Sequence, residues 1–163
     1  MGLFDWMRTN IFGGSPRSAA EQAEEQRIIS EMQQIQGKDA EVGGLNFQTA
    51  IEAHMKWRER LEAVINGTST EKIDPETIFK DDQCVLGKWI IGDGKVYEQL
   101  PQFHELRATH THFHHVAARI LRDALGGHRE EAKAQIAGEY RKTSIKIGGL
   151  LSRMHTEAKK LAK

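Results

Sequence analysis

PQFHELRATHTHFHHVAARILRDAL, running from Pro101 to Leu125, predicts one long amphipathic helix. A proline at the first helical position presets φ and gives up only an amide that a helix start leaves unpaired. Phe103, Leu106, His110, Phe113, His114, Ala117, Ile120, Leu121 and Leu125 recur at spacings of three and four, and Gly126-Gly127 ends the pattern. The pair His110 and His114, four residues apart, therefore shares a face with apolar neighbours.

Outward from this helix the same periodicity repeats, and alternating strand patterns are nearly absent, so the class is all-α. Asn46 is an N-cap for a helix reaching Asn66-Gly67, with Phe47, Ala50, Ile51, His54, Trp57, Leu61, Val64 and Ile65 on or near one face. Asp74-Pro75 opens one short helical turn. Asp81-Asp82 caps a second, which places Cys84 in its first turn and carries Trp89 and Ile90 before Gly92 and Gly94. A last helix from Arg129 to Leu161 carries Ala132, Ile136, Tyr140, Ile147, Leu150, Leu151, Met154 and Leu161. Four helices with short connections predict a four-helix-bundle-like domain over residues 45–163.

Ahead of it, residues 18–44 read as an extra N-terminal helix and linker. Its thin apolar stripe is Ile28, Met32 and Ile35, and a break falls at Gly43-Gly44. Residues 1–17 form an apolar tip with Leu3, Phe4, Trp6, Met7, Ile11 and Phe12, read equally as a docking segment or as disorder. Glu21, Glu24, Glu25 and Glu31 make the early helix acidic where the last one is basic, and a solvated face is the simpler reading of both.

With 163 residues and 18.4 kDa the chain suits one core. The 23 basic and 23 acidic residues cancel, which argues against a nucleic-acid partner. A lone cysteine, no leader pattern and apolar runs too short for a bilayer give the expectation of a soluble, cytoplasmic protein without a transmembrane segment.

The lone Cys84 sits in Asp82-Gln83-Cys84-Val85-Leu86-Gly87-Lys88-Trp89. Together with His54, His110 and His114 it forms a closed set of zinc ligands, since zinc takes thiolate and neutral imidazole in tetrahedral geometry. Four protein ligands leave no position for an activated water, and no Ser-His-Asp arrangement or Gly-rich phosphate loop offers other chemistry, so no catalytic activity is expected. His112 lies about 200° around the helix from His110 and points away. His115 reads as a non-ligand beside the site, and His104, His128 and His155 read as surface residues. Trp57 and Trp89 are either a lid over the thiolate or ordinary core. Gly87 suggests that another helix approaches the Cys84 turn closely, and Gly148-Gly149 marks a second approach or a kink.

Ala50-Ile51-Glu52-Ala53-His54-Met55-Lys56-Trp57, Cys84 through Trp89, Tyr97 through Phe103 and His110-Thr111-His112-Phe113-His114 together resemble the chemoreceptor zinc-binding (CZB) domain family. Gly138 through Ser144 and Gly149-Leu150-Leu151 are similar too, so the likeness runs from about Leu45 to Met154. The resemblance implies a helical homodimer holding zinc through His54, Cys84, His110 and His114. It also implies a regulatory role beside bacterial chemoreceptors or diguanylate cyclases, with Cys84 sensing oxidants of the hypochlorous acid type. Neither a receptor hairpin nor a cyclase domain flanks the module here, and its expected partner is a signalling protein of one of those kinds. A helical adaptor merely stapled by zinc is the alternative.

Overall fold

A computed structural model describes residues 18–163 of the chain; the apolar tip over residues 1–17 lies outside the described residues. Helix α1 spans Ala19–Gln33 and opens on a reciprocal cap. The Ser18 hydroxyl accepts from the Glu21 amide at 3.2 Å, and the Ser18 amide donates to the Glu21 carboxylate at 2.9 Å. After a 3-10 turn at Gly37–Ala40 comes a small hairpin, β1 Glu41–Val42 and β2 Leu45–Asn46, antiparallel with Val42 opposite Leu45. Gly43 and Gly44 take φ of 58° and 81°. Two successive left-handed residues are what a two-residue hairpin turn of the right twist requires. The break read at this Gly-Gly pair is thus a structured turn, and strands of two residues are too short to show alternation.

Helix α2, Phe47–Asn66, starts on the Asn46 side chain, which accepts from the Thr49 amide, and ends on left-handed Gly67. The short α3, Pro75–Phe79, is capped by Asp74 and buries none of its side chains; α4, Val85–Ile91, follows. After a 3-10 turn at Asp93–Tyr97, the long α5 covers Pro101–Leu125, as its periodicity predicts. Its stripe from Phe103 to Leu121 is buried, but Leu125 is exposed in the last turn, and Leu161 is exposed at the other stripe's end. The final helical stretch runs as α6 Arg129–Gln135, a wider π-turn at Ile136–Tyr140, and α7 Arg141–Leu161.

The fold is all-α apart from the hairpin, with α5 at the centre against α2, α3, α6 and α7. Helix α1 lies on α7, where Gly148 and Gly149 admit Met32 and Ile28; a Cβ at Gly148 would meet the Met32 sulfur at 2.6 Å. That glycine pair therefore marks a close approach. The charge contrast between the two helices is also used: Arg141 donates to Glu25, and both side chains are buried in the seam. The reading of both as solvated faces is corrected at this pair. His155, expected on the surface, is buried as well. Its ring bonds the Asp39 carbonyl at 2.5 Å and meets Phe47 edge-on. Ile28, Ile29 and Met32 of α1, and Ile35 just beyond it, belong to the same core as the apolar side chains of α2, α5 and α7.

One buried group fits this core poorly. The Tyr140 hydroxyl makes no well-formed hydrogen bond, and burial raises its pKa above the usual tyrosine range against the nearby Ser144 hydroxyl. A buried polar atom without a partner costs free energy that an apolar isostere recovers. Tyr140→Phe is expected to stabilise the fold by about 1 kcal/mol, raising Tm by about 2–4 °C for a chain of this size in a calorimetric scan. A fall in Tm would show that the hydroxyl is satisfied in solution.

Candidate metal centre

Three segments bring their side chains to one point. On α2 the His54 ring turns back along its own helix, and Nδ1 donates to the Ala50 carbonyl at 2.7 Å. On α5 the His114 Nδ1 donates to the Ile78 carbonyl at 2.6 Å. A carbonyl only accepts, so both rings carry their proton on Nδ1 and turn an Nε2 lone pair inward. His110, one turn before His114, has Nε2 at 3.2 Å from the His114 Nε2 and 3.2 Å from the Cys84 sulfur. The ligand atoms of His54, Cys84, His110 and His114 all lie within 4.8 Å of one another.

Cys84 is brought there by α4, though not from within its first turn. It is the N-cap itself, in extended conformation, and its sulfur accepts from the Gly87 amide at 3.3 Å. Position 87 must be glycine for this to hold, since a Cβ there would stand 1.7 Å from the Asp81 carbonyl oxygen. The close approach read from Gly87 is real, but the approaching group is the backbone of the preceding turn and not another helix. The far end of α4 is fixed by Trp89, whose indole N–H donates to the Gly43 carbonyl at 2.7 Å in the hairpin turn. The connection between α3 and α4 is tied to α5 in its own right. Thr111 donates to the Asp81 carboxylate, Glu76 pairs with Arg122 at 2.6 Å, and Phe79 stacks on His115 at 4.1 Å.

Burial sets the protonation chemistry. It holds His54 down to about 4, against the Ala50 hydrogen bond, and lowers His110, to which neighbouring His54 and His114 add. His114 is also lowered by burial, with Ile78 and Asp81 opposing. All three are thus neutral imidazoles, the form that ligates. Burial likewise pushes the Cys84 thiol up; the Gly87 and Leu86 amides oppose this and the Asp81 carboxylate reinforces it. Among these groups the missing element is positive charge.

The donor set fits zinc. Bonds of about 2.0–2.1 Å to nitrogen and about 2.3 Å to sulfur give tetrahedral edges of about 3.3–3.6 Å; the two 3.2 Å separations here are slightly shorter, and all four ligand atoms lie within 4.8 Å of one another. Residues 54–121 match the model of the chemoreceptor zinc-binding domain. That span begins at His54 and includes Cys84, His110 and His114, so all four candidate ligands fall inside the part of the chain that is similar to the family. No curated protein and no solved structure matches the chain. The segments Gly138 through Ser144 and Gly149 through Leu151, read as similar to the family, lie outside the matched span.

The neighbours divide clearly. Trp89 is core, packed against Phe47, Tyr97 and Phe103, and is no lid. Trp57 is half-buried, with the Arg60 guanidinium 3.9 Å over its ring. His115 is spent on Phe79, exposed His112 meets Glu139 at 3.0 Å, and His104 and His128 are exposed. Four supporting groups escape sequence reasoning: the Ala50 and Ile78 carbonyls, Asp81 and Thr111. Only Ala50, four residues before His54, leaves a trace in spacing.

The Gly87 contact gives a direct test. Gly87→Ala is expected to weaken zinc binding at least about tenfold in a chelator competition while far-UV circular dichroism stays helical, because it moves a ligand without emptying a core position. Unchanged affinity would show that the Cys84 turn has room to shift.

Proposed function

We propose that this chain is a zinc-dependent regulatory module in which His54, Cys84, His110 and His114 hold one zinc ion, and in which the Cys84 sulfur senses either metal supply or oxidants. The reading rests on one observation: a buried, closed set of four soft donors whose histidines are already neutral and already oriented. A filled shell supports regulation over catalysis, and no turnover is proposed.

The Cys84 sulfur serves as metal donor and as the acceptor that caps α4. Being half-buried, it is open to a small oxidant. As thiolate it attacks the chlorine of hypochlorous acid, breaking the O–Cl bond and releasing hydroxide, and water then displaces chloride from the S–Cl bond with loss of a proton. Sulfur loses two electrons and ends as sulfenic acid, a poorer ligand and a poorer cap. The start of α4 then repacks, and a partner reads the change. We place that partner in bacterial chemotaxis or cyclic-di-GMP signalling and the module itself in the cytoplasm as a homodimer, on the likeness of residues 54–121 to the chemoreceptor zinc-binding domain. Among the described residues no helix is long and apolar enough to cross a membrane. A purely structural staple is favoured by one feature: α3 buries no side chain and is held largely through groups around the site.

Native mass spectrometry tests the proposal. One zinc per chain is expected, weakened in Cys84→Ser and released from wild type by one equivalent of hypochlorous acid, with the helical content kept. Zinc that persists after Cys84 is oxidised, or release that unfolds the chain throughout, would favour the staple.

A further inference from the structure

The final helical stretch carries a feature that the zinc site does not require. Between α6 and α7 the chain widens into a π-turn at Ile136–Tyr140, one residue more than a straight helix accommodates. Such turns need a local reason to persist. Among the described residues three buried side-chain atoms have no hydrogen-bond partner, and two of them sit where this turn ends: the Tyr140 hydroxyl and the Arg141 Nε. Packing of the Tyr140 ring, more than hydrogen bonding at its hydroxyl, therefore holds the present register.

Both sides of the turn are tied to something specific. On one side the Tyr140 ring packs on Phe113 with centroids 5.4 Å apart. Phe113 in turn lies 5.2 Å from the His54 ring and 5.8 Å from that of His114, two of the four metal-ligand candidates. On the other side, Arg141 grips Glu25 of α1, and Gly148 and Gly149 receive Met32 and Ile28. Tightening the π-turn toward α-helix would twist the start of α7, where Arg141 sits, relative to α6. The seat of α1 would turn away with it.

We infer that the π-turn at Ile136–Tyr140 is a two-state coupling element through which metal occupancy at His54 and His114, read by the Phe113 and Tyr140 rings, sets how firmly α1 is seated on α7. The inference rests on the zinc reading above and names its output inside the molecule: the N-terminal helix. Tyr140 is a positioning residue and touches no metal. The coupling is thermodynamic, since the two registers seat α1 differently and the ligand rings reach the residue that ends the turn through Phe113.

Hydrogen-exchange mass spectrometry on the full chain, zinc-loaded and chelator-stripped, tests this. Stripping is expected to speed exchange about tenfold in peptides from α1 and the π-turn, while the buried middle of α5 keeps its protection. Tyr140→Leu, which loses the aromatic contact, is expected to abolish the zinc dependence at α1 with one zinc still bound by native mass spectrometry; Tyr140→Phe, which keeps the ring, is expected to retain it. Zinc bound with α1 exchange indifferent to it in wild type would overturn the coupling and leave the zinc reading standing. Uniformly faster exchange through all helices would overturn it in favour of a staple, and no zinc bound would overturn both readings. The wild-type comparison decides even where Tyr140→Leu does not fold.

Discussion

Three neutral imidazoles and one thiol converge from α2, α4 and α5 on a point where their lone pairs face one another. The His110 and His114 Nε2 atoms are 3.2 Å apart, and the Cys84 sulfur is as near to His110. Such a cluster is costly unless a proton or a cation lies between the donors. Burial has made the first answer poor for the histidines by lowering their pKa values. A divalent cation answers it for all four groups together. The surrounding architecture follows from this constraint: two backbone carbonyls fix the ring tautomers, and a glycine lets the cysteine turn lie against its own preceding loop.

The rest of the fold supplies rigidity from outside the site. The hairpin is only four paired residues, yet its turn carbonyl holds Trp89 and with it the far end of α4. Helix α1 adds a layer on α7 through the glycine pair and the Glu25–Arg141 ion pair. A buried pair of this kind contributes position more surely than stability, because desolvation offsets much of its attraction. Cys84 is delivered by the α3 to α4 connection, which Asp81 ties to Thr111 of α5. Two long helices thus carry the three histidines, and the sulfur rides on the cap of a short helix whose Leu86, Trp89 and Ile90 are buried.

Much of this was legible in the sequence, and the reasons differ from residue to residue. The helices around His54 and His110 show because caps and apolar periodicity act locally, and the four side chains that converge show because cysteine and histidine are chemically specific. The hairpin did not show, since two-residue strands have no period. His155 was misplaced because a histidine near a chain's basic end looks solvated until its carbonyl partner, from Asp39 far along the chain, is seen. Cys84 as cap, and not first-turn residue, could not be told from Asp81-Asp82 because both acidic residues are themselves good caps. The tertiary ties, Ile78 to His114 and Asp81 to Thr111, join segments more than thirty or about thirty residues apart and have no local signature.

The central claim is that one zinc ion is held by one sulfur and three nitrogens. X-ray absorption at the zinc edge of the zinc-loaded protein tests it most directly. The account predicts a single sulfur at about 2.3 Å and nitrogen neighbours at about 2.0–2.1 Å, with the sulfur shell lost in Cys84→Ser. A first shell of oxygen and nitrogen alone in the wild-type protein would contradict it.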